Sequence, residues 1–291
     1  MVLDRWQFTA PPFGGGSEPA TFHPGAPQDE ALARLEWLVE QGQRCALVVG
    51  AEGCGKSHLC PVAARRLGGM GCEVAILSLR GISDDDWLAL LLARLPLDPP
   101  ARDEPLRLWQ KLEDRLRENT LLERTTALVF DDADHAPQGA LDGLARIVSA
   151  AEPLYARTLV VVTATPAGAE RLPSGLRQRA AVRIELGPWD EEDVAAYLAG
   201  ALRRVGGSPQ LFSPQAVATL ARFSDGVPGT VQQLARLAVA AAAGDGLENV
   251  DAATVERAWR DLRPRMSPAS VNGASDQLVN PQVRVVRRLW G

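Results

Sequence analysis

The stretch Gly50-Ala51-Glu52-Gly53-Cys54-Gly55-Lys56-Ser57 decides the fold of this chain. It fits the pattern G-x-x-x-x-G-K-[ST] and stands between a short apolar run, 45–49, and an amphipathic segment, 56–67. Glycines let such a loop take a tight concave path, so that backbone N–H groups point inward at phosphate oxygens and the following helix adds positive potential. We therefore expect residues 50–58, from Gly50 to His58, to line a phosphate site.

Lys56 and Ser57 have distinct expected roles in this loop. The chain holds 31 basic residues, of which only Lys56 and Lys111 are lysines. A compact ammonium fits between two phosphates, whereas the planar guanidinium of arginine does not. Lys56 is expected to reach the β- and γ-phosphates of a nucleoside triphosphate, and the Ser57 hydroxyl to bind Mg²⁺. A glycine-rich turn without a ligand is the weaker interpretation, because it would not require lysine.

Two acidic residues follow the apolar run 127–130. Asp131 and Asp132 are expected at the carboxyl end of a parallel strand, where open α/β sheets bind their ligands. Asp131 is placed to hold Mg²⁺, and Asp132 to orient or deprotonate an attacking water. Adjacent acids also occur at ordinary solvated strand ends, but the phosphate loop makes that interpretation less favourable. Together the two motifs predict an NTPase core that uses ATP and Mg²⁺.

Strand-like and helix-like segments alternate up to Gly187. Short apolar runs predict strands at 45–49, 73–79, 127–130, 159–162 and 182–186. Amphipathic segments predict helices at 28–41, 56–67, 85–95, 104–122 and 139–151. This alternation favours an α/β fold, a mostly parallel sheet with helices on both faces. After Pro188 the strands stop, and helical spacing recurs at 191–204, 214–223, 230–243 and 252–262.

Composition divides the chain into four parts. Residues 1–26, rich in proline and glycine, are expected to form an irregular strap pinned by its aromatic residues. Residues 27–188 are the expected α/β nucleotide-binding core, and 189–262 a small all-helical lid domain. Residues 263–291 form a basic and apolar tail with five arginines and one aspartate. Basic and apolar residues alternate in the tail, which would let it add a strand to a partner protein or rest on an anionic surface. A frayed terminus is the alternative.

Charge and hydropathy exclude several functional classes. The net charge of −5 argues against a whole-body basic field for gripping nucleic acid. No apolar run approaches the roughly 20 residues of a membrane-spanning helix, and the N-terminus lacks the apolar core of a secretory signal. We therefore expect a cytoplasmic protein. The spacing of its four cysteines matches neither a redox pair nor a zinc site.

The order of these motifs resembles the AAA+ ATPases, and within them the ExeA-like (general secretion pathway protein A) and transposition-type ATPases. The resemblance covers residues 5–262. It rests on Pro12-Phe13 in the strap, the phosphate loop, the D-D strand, Leu176-Arg177-Gln178-Arg179 before a strand, and Gly226-Val227-Pro228 before a late helix.

This resemblance implies further site residues. Thr163 or Thr165 would sense the γ-phosphate from a strand end, although a threonine there also serves as a helix cap. Arg179, or next Arg177, matches the arginine finger that one subunit supplies to the nucleotide of its neighbour. The resemblance therefore implies a homo-oligomer, either a ring or a filament.

Two positions depart from the family pattern. Asp132 stands where the family usually has glutamate, and Gly229 where a lid arginine usually touches the γ-phosphate. Arg222 and Arg236 lie nearby in sequence, but the spacing selects neither as a substitute. These departures put the coupling between lid and nucleotide in doubt and predict slow hydrolysis.

Two functional hypotheses follow. The leading one is a Mg²⁺-dependent ATPase that couples its nucleotide state to oligomer assembly and partner remodelling, slow without assembly or partner. The alternative is a nucleotide-dependent switch or scaffold with little turnover. A protein partner is expected to bind through the C-terminal tail, and association with DNA stays open.

Overall fold

A computed structural model describes residues 5–14, 19–97 and 104–262; the predicted tail, 263–291, lies outside them. The core elements in chain order are α1 (Ala26–Glu40), β1 (Cys45–Gly50), α2 (Lys56–Gly69), β2 (Glu73–Ser78), α3 (Trp87–Leu92), α4 (Pro105–Leu121), β3 (Thr126–Asp131), α5 (Gln138–Ser149), β4 (Thr158–Ala164), α6 (Pro166–Arg171), α7 (Ser174–Arg179) and β5 (Val182–Leu186). Four helices follow: α8 (Glu191–Arg204), α9 (Pro214–Ser224), α10 (Pro228–Gly244) and α11 (Ala252–Leu262).

The five strands form one parallel sheet in the order β2-β3-β4-β1-β5. Every residue of β1, β3 and β4 is buried, as expected for central strands covered on both faces. Helices α1 and α2 pack on one face, and α3 to α7 pack on the other. This arrangement confirms the predicted α/β fold and brings the carboxyl ends of β1, β3 and β4 to one edge.

Sequence patterns predicted all five strands to within two residues at each end. The predicted helix 85–95 is shorter, at Trp87–Leu92. Helices α6 and α7 were missed, because six residues each are too few to show a helical period. Among the described residues, no helix combines the length and apolarity needed to cross a bilayer.

The strap packs against the helical lid, 189–262. Phe8 and Phe13 are buried in the lid's own apolar cluster, and the Phe13 ring lies 6.0 Å from the rings of both Tyr197 and Phe212. The Thr9 N–H donates to the Val205 carbonyl at 3.0 Å. The aromatic residues therefore hold the strap as predicted, and they do so mainly through the lid. The boundaries proposed between strap, core, lid and tail stay predictions.

Candidate functional site

The phosphate loop has the concave form that its glycines predict. Gly53 (φ 78°) and Gly55 (φ 95°) both lie in the left-handed region, and Gly55 is the residue that opens α2. A Cβ added at Gly50 would lie 2.4 Å from Cys54 Sγ, so the loop folds back directly onto the end of β1. A side chain would strain the left-handed backbone at Gly53 and Gly55 and would clash with Cys54 Sγ at Gly50.

Lys56 is the buried cation of this loop. It is 6% exposed, and its Nζ donates to the carbonyls of Gly50 at 2.7 Å and Ala51 at 3.0 Å. A buried ammonium needs such acceptors, because burying an unpaired charge is costly. The loop therefore places one positive charge where it is shielded from bulk water and held within reach of an anion.

A cavity of about 770 Å³ opens in front of the loop. Seven loop and helix residues line it, from Glu52 to His58, and Ser57 among them is exposed at the start of α2. The sheet contributes Arg80, Asp132 and Thr165. Strap and lid close the far side. The volume lies within the range of ligand pockets in proteins and suits a nucleotide.

Thr163 connects Asp131, the last residue of β3, with Asp132, the residue after it. Its hydroxyl donates to Asp131 Oδ1 and accepts from the Asp132 N–H at 3.0 Å. Asp131 is buried in β3, whereas Asp132 takes the left-handed conformation (φ 55°) and turns the chain out of the strand. The two carboxylates therefore face different surroundings, as their different predicted roles require.

The Asp132 carboxylate is paired within the chain. Arg80 lies two residues beyond β2, and its Nε is 3.1 Å from Asp132 Oδ2. The hydrogen bond to Asp132 raises the pKa of Arg80 above its ordinary value. Sequence reasoning missed Arg80, although its place after the predicted strand 73–79 puts it at the same sheet edge as the acids.

Thr165 is a helix cap as well as a cavity residue. Its hydroxyl accepts from the Gly168 N–H at 3.0 Å at the start of α6 and donates to Asp134 Oδ2 at 2.5 Å. The Asp134 side chain is only 2% exposed. Burial by itself raises the pKa of Asp134, but hydrogen bonds from Thr165 and His135 outweigh it and lower the pKa below its ordinary value. Of the two sensor candidates, Thr163 is the one that contacts both the predicted Mg²⁺ ligand Asp131 and the predicted catalytic residue Asp132.

Arg177 and Arg179 lie far from the phosphate loop of their own chain. Both end α7, which precedes β5, so they stand at the amino edge of the sheet. There the Ala181 N–H donates to Cys45, the first residue of β1. Arg177 contacts the Leu172 carbonyl (3.0 Å) and Glu170 (3.4 Å), and Arg179 is exposed. Neither reaches the cavity from within its own chain.

The lid touches the phosphate loop at the position where the family has its arginine. The Gly229 N–H donates to the Gly53 carbonyl at 2.9 Å, and a Cβ at Gly229 would lie 3.2 Å from both Cα and O of Gly53. A larger residue at this position would require one of the two backbones to move by a few tenths of an ångström. Of the described arginines, Arg80 and Arg204 line the cavity, and Arg222 and Arg236 do not.

Asp132, Asp134 and His135 offer ligand atoms within 4.8 Å of one another. This group does not include Ser57 or Asp131, the predicted Mg²⁺ ligands. Asp132 is already paired with Arg80, and Asp134 is already bound by Thr165. Their contacts account for the group, while Ser57 and Asp131 retain the hydroxyl and carboxylate oxygens that Mg²⁺ prefers.

Comparison with known families bears directly on this site. Residues 39–171, which span the phosphate loop, the D-D strand and β4, match the AAA domain. This segment of the chain is similar to AAA domains. Over 259 residues it is also 27% identical to general secretion pathway protein A of Aeromonas hydrophila. That alignment covers 86% of this chain and 46% of the relative, so the chain spans about half the relative's length. Both matches confirm the resemblance predicted from the sequence.

Solved structures share the fold of the AAA domain and its lid. Cdc6p of Pyrobaculum aerophilum matches with a TM-score of 0.67 at 17% identity, covering 86% of this chain and 70% of that one. The Holliday junction branch migration motor RuvB of Thermotoga maritima gives 0.55 at 17% identity, covering 81% and 68%. ORC1 of Aeropyrum pernix, solved in complex with DNA, gives 0.60 at 18% identity, covering 81% and 64%. At these identities the likeness establishes the fold alone.

Proposed function

We propose that this AAA protein binds ATP with Mg²⁺ at residues 50–58 and hydrolyses it slowly as a single chain. The observation that carries the proposal is the buried Lys56 ammonium, held on a glycine loop that opens into a cavity of about 770 Å³. A strand-to-helix turn without a ligand gains nothing from a buried cation. The fit to an anionic ligand rests on this charge and on the inward-facing loop.

Each loop residue has a role in binding. The N–H groups of residues 53–57 and the start of α2 would bind the phosphates, and the Lys56 ammonium would exchange loop carbonyls for phosphate oxygens. Ser57 and Asp131 would hold Mg²⁺, which neutralises charge on the β- and γ-phosphates. Thr163 keeps Asp131 in place through its hydrogen bond. Of these groups, residues 53–57 line the cavity, and Asp131 is buried at the end of β3.

Hydrolysis would depend on Asp132. Its carboxylate would orient the attacking water and accept a proton at Oδ1 or Oδ2. In this structure Arg80 contacts Oδ2 at 3.1 Å and Oδ1 at 3.5 Å. While Arg80 contacts both oxygens, they are less available to orient or deprotonate a water. We therefore expect turnover to be slow until the pair opens.

Assembly would supply the arginine that a single chain does not bring to its own phosphate loop. Arg179 is exposed at the edge of the sheet opposite the phosphate loop, from which it could reach the nucleotide of a neighbouring subunit. A guanidinium supplied in this way neutralises charge developing on the transferred phosphoryl group. A ring or filament of this chain, remodelling a partner protein as it turns over ATP, is the fuller form of the proposal.

The second candidate is a nucleotide-dependent switch or scaffold, in which binding alone carries the signal. Two observations favour it: the ion pair between Arg80 and Asp132, and the absence of an arginine at Gly229. Association with DNA belongs to this candidate, since ORC1 of Aeropyrum pernix was solved in complex with DNA. Because the net charge is −5, any DNA contact would have to be local or assisted by a partner.

One set of measurements separates the candidates. ATP affinity, single-turnover hydrolysis and particle mass by mass photometry would be compared with and without double-stranded DNA. Lys56→Ala is expected to weaken ATP binding by about 10- to 100-fold, and Lys111→Ala, which changes the only other lysine, is the matched control. If Asp132→Asn binds ATP and keeps the assembly response without hydrolysis, the switch is correct. A chain that binds no ATP under any condition would refute both candidates.

The predicted tail has its own test. Residues 279–291 would be deleted, and oligomer mass and capture of a protein partner would be measured. We expect capture to fall while ATP affinity is kept, since the cavity lies wholly within the described residues. Unchanged capture and unchanged oligomer mass would exclude the tail as a docking segment.

A further inference from the structure

Two neighbouring carbonyls of the phosphate loop are bound by donors from outside the loop. A loop that turns its N–H groups inward must turn carbonyls outward, and outward carbonyls that are buried need a donor. Gly53 O accepts from the Gly229 N–H of the lid at 2.9 Å, and Cys54 O accepts from Gln28 Nε2 at 3.3 Å. The loop is therefore held from behind by one lid residue and one residue of α1.

Gln28 uses both ends of its amide. It is 2% exposed, and its Oε1 accepts from Trp189 Nε1 at 2.8 Å while its Nε2 donates to Cys54 O. An indole N–H can only donate, and a carbonyl can only accept. The amide therefore has a single orientation that satisfies both neighbours. A Cβ added at Gly25 would lie 2.5 Å from Trp189 Nε1, which shows how closely this bond is enclosed.

Trp189 belongs mechanically to the lid. Its backbone N–H donates to the Gly226 carbonyl at 2.8 Å, and its indole ring lies 5.0 Å from the ring of Tyr197 on α8. A Cβ at Gly226 would lie 2.1 Å from the Trp189 carbonyl oxygen, so the two backbones are in direct contact. Gly226 stands just before α10, the helix whose Gly229 binds the loop. Movement of the lid therefore moves Trp189.

From these contacts we infer that Gln28 is a positioning residue that couples the lid to the phosphate loop through Trp189. The inference rests on the proposed ATP binding and adds its regulation. A lid displacement that pulls on Trp189 withdraws the donor from Cys54 O, and the peptide plane that carries Cys54 O and the Gly55 N–H loses its support. By linkage, ATP bound at the loop favours the docked lid by the same factor.

The test compares Gln28→Met, Trp189→Phe and the double variant. Gln28→Met keeps the length of the side chain and removes both hydrogen bonds, and Trp189→Phe keeps an aromatic ring and removes the donor. The dissociation constant of a fluorescent ATP analogue with Mg²⁺ would be measured at a temperature where each variant is folded. We expect affinity to fall about tenfold in Gln28→Met and about threefold in Trp189→Phe. The double variant should be no weaker than Gln28→Met, because both changes break one connected path.

Asn119→Leu is the matched control for loss of a buried polar contact. Asn119 is 1% exposed and donates to Thr126 Oγ1 at 2.9 Å, at the amino end of β3 and away from the loop. It should lower the melting temperature and leave ATP affinity unchanged. If Asn119→Leu weakens ATP binding as much as Gln28→Met does, the effect is general destabilisation and the inference is wrong.

The outcomes separate this inference from the proposed function. A wild-type chain that binds no ATP refutes the proposed function and the coupling with it. A wild-type chain that binds ATP, with Gln28→Met binding equally well, refutes the coupling alone. Additive losses in the double variant would show that Gln28 and Trp189 act separately, which also overturns it. If Gln28→Met does not fold, Trp189→Phe decides, and unchanged affinity there overturns the inference.

Discussion

Arg80 and Asp132 form an ion pair at the edge of the sheet where the phosphate loop opens, with Nε 3.1 Å from Oδ2. The Asp132 side chain is 19% exposed and that of Arg80 is 57% exposed, so the pair stands at the mouth of the cavity. A pair so exposed to water is weak and can open. The ion pair therefore restrains the Asp132 side chain but can break and release it.

Removing Arg80 should release this restraint. In Arg80→Ala we expect single-turnover ATP hydrolysis to rise about tenfold at saturating nucleotide, which lies within what a freed general base contributes. The measurement is a quench-flow assay with radiolabelled ATP. Arg117→Ala, which removes an exposed arginine paired with Asp114 on α4, is the control. A fall in the rate would show instead that Arg80 stabilises the transition state.

The two lysines offer a direct comparison. Lys56→Ala should weaken ATP binding by about 10- to 100-fold, since hydrogen bonds to charged groups contribute roughly 1.5–3 kcal/mol. Lys111→Ala on α4 should bind like the wild type. Isothermal titration calorimetry with Mg²⁺ and ATP measures both. Equal affinities for the two variants would place the phosphates elsewhere.

Gly229 tests the contact between lid and loop. Gly229→Ala places a Cβ 3.2 Å from the Gly53 backbone, so the lid must shift by a few tenths of an ångström. We expect a loss of about 1 kcal/mol and a melting temperature about 2–4 °C lower. Gly244→Ala, at the far end of α10, meets no atom within 4 Å and should be neutral or stabilising. If the two variants have the same melting temperature, the contact between Gly229 and Gly53 contributes nothing measurable to stability.

Arg179 should matter only in an assembly. We expect Arg179→Ala to keep the ATP affinity of the single chain and to lose most of the hydrolysis gained on assembly, where an arginine finger contributes on the order of 10³-fold. Hydrolysis measured against protein concentration shows the difference. Arg34→Ala, another exposed arginine, is the control. A variant that retains the concentration dependence of the wild type would leave Arg177 as the remaining candidate.

Asp134 predicts how stability depends on pH. Because the folded-state pKa of Asp134 lies below its ordinary value, its contribution is fully present above the ordinary pKa and is lost as the pH falls through the folded-state value. Denaturant unfolding of wild type and Asp134→Asn should therefore differ most near pH 7 and converge toward pH 3. Thr165→Val, which removes one donor to Asp134, should show a smaller difference. Parallel curves at all pH values would contradict this assignment.

Local signals in the sequence accounted for the sheet and for the loop. Central strands such as Thr158–Ala164 are apolar throughout, and the phosphate loop carries its own glycine pattern, so both are readable without tertiary information. The contacts of Gln28 were not readable in this way. Its partners, Cys54 and Trp189, lie 26 and 161 residues away in the chain, and only folding brings them together.

The same limit applies to Arg80 and Gly229. Among 29 arginines the residue type carries no information, and Arg80 acquires its role because it follows β2, the strand next to β3, although it stands 52 residues before Asp132 in the chain. Gly229 departs from the family pattern, but only the 2.9 Å bond to Gly53 explains why a glycine suits that position. Position in the fold, rather than residue type, gives Arg80 and Gly229 their contacts.

The phosphate loop and Arg179 lie at opposite edges of the sheet, so the two ends of the molecule differ. One edge of the sheet carries the nucleotide-facing groups, and the opposite edge carries the exposed arginine. An interface that joins these two edges is head-to-tail, so every subunit that offers an arginine leaves its own loop to be completed by another. A two-fold symmetric dimer therefore cannot complete both of its sites through Arg179, whereas a closed ring can, and an open filament always has one incomplete site at its end.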